Sequence, residues 1–253
     1  MKKNTIKVQP VQKATHRRQF LKLGGMGIVG AGLLVACSND DNGGMMPNPE
    51  PEPDPEPNPD PDVVFDLGEG DLGVLNYAYA LEQLEADFYT KVFNSFYGGI
   101  TDEEKQVLTD LYYHEVNHRD FFKAAITAAV EGKADLMLPT LEFDYGDLDF
   151  GNREQVLTTA SVLEDTGVAA YNGAGRLLVN PVYLTLAGKI VSVEARHASA
   201  IRTLLNPGSA DFAGDDYVTV DTGLSQALKP SDIIAAVGAT GFIATPFTAN
   251  KLP

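Results

Sequence analysis

The chain has 253 residues, of which 44% are hydrophobic and 21% are charged, a balance typical of a globular protein. Its formal net charge of −16 argues against nucleic acid as a partner, because phosphate binding needs clustered Lys and Arg. The single Cys excludes an internal disulfide framework and any zinc or iron–sulfur site built on several thiolates.

Residues 1–36 are predicted to be an export signal. Arg17 and Arg18 are followed by Gln-Phe-Leu-Lys and then by an uncharged run over residues 23–36. This run is shorter than the roughly twenty apolar residues that a membrane-spanning helix needs. A basic region followed by a short apolar region is typical of a signal peptide, and the arginine pair with Phe-Leu-Lys resembles a twin-arginine translocation signal.

The only cysteine, Cys37, follows this apolar run in the sequence Leu-Val-Ala-Cys. The sequence resembles a bacterial lipobox, whose Cys is acylated and becomes the mature N-terminus; a buried free thiol is the alternative. Two or three acyl chains anchor a protein stably in a membrane. We therefore expect export through the twin-arginine route and a lipid anchor in the bacterial cell envelope, with the protein either periplasmic or surface-exposed.

Residues 37–62 form an acidic, proline-rich segment. Between residues 47 and 61 every second residue is Pro, and the residues between them are Asn, Glu or Asp. Because Pro restricts its own φ and disfavours helix at the preceding residue, the segment is predicted to be extended polyproline II chain. At about 3.1 Å per residue it reaches roughly 45 Å, which suits a stalk. An undistinguished disordered linker is the alternative.

Residues 63–205 are predicted to fold as an all-α four-helix bundle. Apolar residues recur with a period near 3.6, which predicts helices over about 71–96, 101–130, 153–178 and 182–205. Short turns separate the members of each pair, and a Gly- and Asp-rich crossover over about 132–152 separates the second helix from the third. Two helical hairpins joined by one long crossover form a known bundle topology. Residues 206–253 are predicted to be an irregular extension packed on the bundle, with a short helix over 230–237.

Each predicted helix carries a Glu in the middle of its apolar face, and two helices add a His three residues later. Residues three apart share a helix face, so Glu-x-x-His presents a carboxylate beside an imidazole. The six residues are Glu82, Glu115, His118, Glu164, Glu194 and His197. Two single Glu residues and two Glu-x-x-His pairs, all pointing inward, supply the ligands for a di-iron or di-manganese carboxylate site.

The charges of these residues also favour metal binding. Four carboxylates near one bundle centre repel each other, and burying even one unpaired charge is costly. Two divalent cations would neutralise all four. Carboxylates with one imidazole per metal and no thiolate suit two Fe or two Mn ions rather than copper(I) or structural zinc, and the choice between Fe and Mn stays open.

Four segments resemble the helix motifs of ferritin-like domain proteins, most closely those of the bacterial exported and desiccation-related group. They are residues 81–89, 114–118, 163–171 and 194–197, and the resemblance covers about 70–205. It implies that Glu115 and Glu194 bridge the two metals.

The resemblance also bears on the ligand of the first helix, where Glu82 and Glu85 compete. In bacterioferritin and rubrerythrin-like helices, a Tyr seven residues after the ligand Glu hydrogen-bonds near the site. Tyr89 and Tyr171 have this spacing from Glu82 and Glu164. Glu82 is therefore predicted to be the ligand, Glu85 is kept in reserve, and both tyrosines are placed next to the ligands, with simple core packing as the alternative. His114 and Asp165 lie about 100° from the ligands around their helices and are predicted not to bind metal.

Carboxylate bridges tolerate both M(II) and M(III), which favours a redox site that reacts with O₂ or peroxide. The expected activity is that of a ferroxidase, oxidase or peroxidase, with a dimanganese catalase-like reaction as a variant. A non-catalytic envelope module for stress or desiccation, with a structural or vestigial metal site, is the alternative. A closed iron-storage cage is disfavoured, because the lipid anchor and the C-terminal extension would obstruct a shell; a homodimer is left open.

Overall fold

The computed structural model describes residues 64–253. The predicted twin-arginine signal with Arg17 and Arg18, the acylation of Cys37 and the stalk over 37–62 lie outside the described residues and stay predictions. None of the helices within 64–253 combines the length and the apolarity needed to cross a membrane.

Four long helices form the bundle, as the sequence predicted. They are α1 (Gly70–Asn94), α2 (Asp102–Val130), α3 (Arg153–Gly175) and α4 (Pro181–Leu205). The most extensive packing is between α1 and α2 and between α3 and α4, so that two helical hairpins assemble into one bundle. The predicted all-α four-helix bundle is thereby confirmed.

Polar side chains fix where three of these helices begin. The Thr101 hydroxyl accepts a hydrogen bond from the Glu104 N–H, while the Glu104 carboxylate accepts one from the Thr101 N–H, which is a complete capping box for α2. Asn152 and Asn180 cap α3 and α4 with their side-chain oxygens. The local sequence therefore sets the starts of three of the four helices that carry the predicted ligands.

The crossover between α2 and α3 is fastened to α1 by two buried side-chain amides. It contains one short 3₁₀ turn, Ala134–Leu136. Asn76 and Gln83, seven residues apart on α1, each donate a hydrogen bond to a crossover carbonyl and accept one from a crossover N–H. These contacts help to bury most of α1. The hydrophobic pattern of the sequence alone did not explain this burial.

The C-terminal extension packs on the bundle and adds small elements of its own. After a 3₁₀ turn at Asp211–Ala213, it contains β2 (Val218–Thr219), β3 (Leu224–Ser225), α5 (Pro230–Thr240) and β4 (Phe247–Thr248). β2 and β3 pair antiparallel, and β4 pairs in parallel with β1 (Phe65–Asp66), which precedes α1. The backbone N–H of Leu228 donates to the carbonyl of Ala169 in α3 at 3.1 Å. α5 is three residues longer than predicted.

Candidate metal centre

The structure brings the six predicted ligands together in two adjoining groups of four. One group is Glu82, Glu115, His118 and Glu194, and the other is Glu115, Glu164, Glu194 and His197. Within each group the candidate ligand atoms all lie within 4.8 Å of one another. Glu115 and Glu194 belong to both groups, which is the placement that bridging residues require.

In each group one imidazole nitrogen faces three carboxylates. His118 Nδ1 lies 2.9 Å from Glu194 Oε1, 3.2 Å from Glu115 Oε2 and 3.4 Å from Glu82 Oε2. His197 Nδ1 lies 2.8 Å from Glu115 Oε1, 3.3 Å from Glu164 Oε2 and 3.5 Å from Glu194 Oε2. One nitrogen carries at most one proton and cannot satisfy three carboxylates, whereas a cation at the point of convergence can contact all four atoms.

The carboxylates are buried and incompletely hydrogen-bonded. Glu82, Glu115, Glu164 and Glu194 are each 0% exposed. Within the described residues, one oxygen of each of the first three and both oxygens of Glu194 have no hydrogen-bond partner. An unpaired buried anion is among the costliest groups in a protein interior. Two divalent cations would satisfy these lone pairs, and the donor set of carboxylates and imidazoles fits Fe or Mn.

Without metal, protons must balance this charge. Burial raises the pKa values of Glu82 and Glu164 to about 8, despite the neighbouring imidazoles. Burial would also raise the pKa of Glu115, but the neighbouring imidazoles of His118 and His197 lower it to about 2. Burial alone would lower the pKa values of both histidines, and the surrounding carboxylates raise them instead. The metal-free cluster therefore holds protons that metal binding would displace.

The two predicted tyrosines bind the ligands in a crossed pattern. The Tyr89 hydroxyl donates to Glu164 Oε1 at 2.6 Å, and the Tyr171 hydroxyl donates to Glu82 Oε1. Each tyrosine follows one of these glutamates by seven residues on its own helix and binds the other glutamate across the bundle. Because Oε1 is held in this way, Oε2 of each glutamate is left facing a histidine. The tyrosines therefore do more than pack in the core.

A family comparison agrees with this geometry. A family model described as a ferritin-like domain matches residues 70–207, which is more than half of the chain. The chain belongs to the ferritin-like domain family. The matched region contains α1 to α4 and all six predicted ligands. Among curated proteins, none matches the chain.

Glu85 lies in the core of this ferritin-like domain but in neither group of four. It is buried, and burial together with repulsion from Glu194 and Glu115 raises its pKa well above the ordinary value. Its Oε1 lies against Gly167, where a Cβ atom would be 3.1 Å away. Glu85 therefore lies beside the two groups without belonging to either, and its raised pKa favours the protonated form.

His114 has a contact that the sequence analysis missed. It belongs to neither group of candidate ligands, but its Nδ1 lies 2.9 Å from Nε2 of His197. Because the surrounding carboxylates raise the pKa of His197 and favour protonation of both its nitrogens, its Nε2 can donate a hydrogen bond to Nδ1 of His114. Burial and the charge of His197 lower the pKa of His114, which favours the neutral acceptor form. The sequence signal that could have pointed to His114 is its spacing of four residues from His118, because residues four apart are neighbours on a helix surface.

Asp165 has a partner outside the two groups of candidate ligands. Its two carboxylate oxygens accept hydrogen bonds from Arg202 at 2.6 and 2.8 Å. Arg202 also donates to Asp216 in the C-terminal extension at 3.1 Å. This bidentate pair therefore joins α3, α4 and the extension of the ferritin-like domain.

Proposed function

We propose that this ferritin-like domain binds two Fe or two Mn ions, one in each group of four, and uses them in a redox reaction with O₂ or peroxide. The observation that carries the proposal is the convergence of three carboxylates on one imidazole nitrogen. This arrangement occurs twice, and the two groups share Glu115 and Glu194. When bound, ions of this kind alternate between M(II) and M(III) and so exchange electrons with an oxidant.

The residues of the chain have distinct tasks in this proposal. Glu115 and Glu194 would join the two ions, and His118 and His197 would each bind one. Tyr89 would hold Glu164 in position, and Tyr171 would hold Glu82. Metal ligands are usually oriented by such a second hydrogen bond. Their phenols stay protonated, because burial raises the pKa of both well above the usual value.

The first test is metal binding by the full-length chain. Loading without oxygen should give about two Fe or Mn per chain, the number expected for this pattern. Glu115→Gln combined with Glu194→Gln should abolish binding, because it removes both shared carboxylates while keeping their size. Glu103→Gln combined with Glu154→Gln makes the same change in charge at exposed positions and should bind normally. Elemental analysis that finds less than about half an ion per wild-type chain would contradict the dinuclear site.

The second test is turnover. The Fe(II)-loaded protein should consume O₂ or peroxide and develop near-ultraviolet absorption, measured with an oxygen electrode and a stopped-flow spectrometer. The double Gln variant should do neither. Metal that stays bound with no consumption of either oxidant would instead support a non-catalytic envelope module.

We also propose that the protein is exported by the twin-arginine route and anchored through an acylated Cys37, on the basis of the N-terminal sequence. Changing Arg17 and Arg18 to Lys should leave the protein in the cytoplasm. Cys37→Ser should abolish incorporation of a labelled fatty acid without blocking export. A labelled Cys37→Ser protein would contradict the anchor.

A further inference from the structure

Several exposed hydrophobic side chains lie together at one end of the bundle, which we call the apolar end. They are Val64, Leu136, Val179, Val182 and Leu184, and they are 46%, 40%, 82%, 57% and 47% exposed. The last three surround the turn between α3 and α4, a kind of segment that is normally polar. Single exposed hydrophobic residues are ordinary, whereas a group of them is typical of a contact surface.

Hydrogen bonds hold the segments of the apolar end together. Asp71, in the first turn of α1, accepts from the backbone N–H groups of Val179 at 2.7 Å and Asn180 at 2.9 Å. Asn76, just over one turn further along α1, donates to the carbonyl of Leu136 at 3.0 Å. The start of α1, the 3₁₀ turn after α2 and the turn between α3 and α4 therefore meet here. Their exposed side chains belong to one surface.

Charges of both signs border the apolar end. Lys133 and Arg176 are exposed there, and so are Glu69 and Glu131. Since neither sign dominates, burial of apolar surface and not attraction to a charged partner would drive contact at this end. The surface therefore suits an apolar partner without a large net charge.

The chain that leads from Cys37 enters the domain at this same end. Val64, the first described residue, is itself part of the apolar end. The connecting residues 38–63 span at most roughly 80 Å, at about 3.1 Å per residue. A membrane that holds an acylated Cys37 is therefore tethered to the end of the domain where hydrophobic side chains are exposed. Such a tether raises the effective concentration of the two surfaces, so that a weak contact suffices.

We propose that the apolar end docks on the lipid bilayer that anchors the protein, with Val179, Val182 and Leu184 inserted among the headgroups. Apolar side chains of interfacial proteins are buried about 5–10 Å into this region, which requires no membrane-spanning helix. The chain has a tether to the bilayer and none to a second copy, which favours the bilayer as the partner. The inference goes beyond the metal centre and rests on the proposed acylation of Cys37.

The test uses a tryptophan reporter, because the chain contains no Trp of its own. Val182→Trp gives a full-length protein whose fluorescence reports on the apolar end, whatever residues 1–36 contact. Phosphatidylcholine vesicles with brominated acyl chains quench only a tryptophan that reaches the bilayer. We expect at least about twofold stronger quenching than in Val220→Trp, together with a blue shift of the emission. Val220 is 78% exposed and lies in the C-terminal extension.

Polar substitutions beside the reporter test what drives the contact. In the Val182→Trp protein, Val179→Gln combined with Leu184→Gln should abolish most of the quenching, because it removes the apolar surface. Val220→Gln combined with Leu224→Gln makes comparable changes at exposed positions of the extension and should leave the quenching unchanged. Thermal unfolding checks that each variant is folded. Salt at about 1 M should not reduce the quenching, since it screens charges and not apolar burial.

Each result supports or overturns the proposal. Equal quenching at residues 182 and 220, or full quenching after the changes at 179 and 184, would reject docking on the bilayer. A blue shift of Val182→Trp that grows with protein concentration without vesicles would assign the apolar end to a second copy instead.

The tether is tested separately from the docking surface. Cys37→Ser should require at least about tenfold more lipid for the same quenching. Quenching that Cys37→Ser leaves unchanged would reject the tether. Fatty-acid labelling of Cys37 without quenching at residue 182 would retain the proposed anchor and reject the docking. Metal stoichiometry does not enter either result, so the proposed metal centre stands or falls independently.

Discussion

At the scale of residues, the metal centre depends on partners that hold the candidate ligands in place. The hydroxyls of Tyr89 and Tyr171 each donate a hydrogen bond to one oxygen of a glutamate. His114 lies within hydrogen-bond distance of Nε2 of His197. The tyrosines follow from a spacing of seven residues along a helix. The contact between His114 and His197 joins α2 to α4 across 83 residues and depends on how these helices pack.

Removing His114 should weaken one metal position selectively. In His114→Ala, the Nε2 proton of His197 loses its acceptor, and loss of such a partner typically costs 10- to 100-fold in metal affinity. We expect a decrease of this size for one of the two ions, measured by competition with a chelator. His114→Gln retains an acceptor and should recover most of the affinity. Equal weakening of both ions, or none, would contradict this role.

At the scale of elements, two kinds of contact attach the C-terminal extension to the bundle. Arg202 forms the buried bidentate pair with Asp165 and reaches Asp216 in the extension. Gly173 of α3 lies directly under the backbone of Leu228, where a Cβ atom would be 1.6 Å from the Leu228 oxygen. The extension therefore lies close to α3 because residue 173 has no side chain.

Gly173→Ala should displace the extension from α3. Overpacking of this kind typically costs about 1–3 kcal/mol, and we expect a loss of unfolding free energy in that range or above it. Gly188→Ala on α4 is the matched control, since a Cβ atom there meets nothing within 4 Å. The control should be neutral or more stable by up to about 1 kcal/mol. Denaturant unfolding with limited proteolysis of the extension measures both, and equal stability of the two variants would refute the close contact.

At the scale of the whole molecule, the buried cluster links folding to pH and to metal. The pKa values of Glu82 and Glu164 are raised to about 8, far above those of exposed carboxylates. A group with a raised pKa in the folded state contributes stability that is complete below its unfolded pKa, near 4.5, and is lost as pH rises through the folded value. The raised pKa values of His118 and His197 act in the same direction above pH 6.5. The lowered pKa of Glu115, about 2, contributes stability that is complete above its unfolded pKa near 4.5 and is lost as pH falls toward 2.

The metal-free protein should therefore become less stable between about pH 5 and pH 8. We expect its melting temperature to fall by more than about 5 °C over this interval, since 1 kcal/mol corresponds to roughly 2–4 °C for a domain of this size. Bound metal should reverse the trend, because cations replace the departing protons. Calorimetry at several pH values checks this. A melting temperature that rises with pH in the metal-free protein would show that the cluster titrates differently.

Much of the bundle and of its candidate site could be predicted from the sequence. The apolar period predicted the four helices. Glu-x-x-His places Glu115 with His118, and Glu194 with His197, whatever the helices pack against, because residues three apart share a helix face. The residues at the centre were therefore determined by local periodicity.

Contacts between distant segments were decided only by the tertiary structure. The amides of Asn76 and Gln83 fasten the crossover to α1, and His114 contacts His197. Each depends on side chains that are dozens of residues apart, and helix periodicity gives the face of a residue but not the partner opposite it. By itself the sequence determined which side chains point inward, and tertiary packing decided which of them meet and what space remains between them.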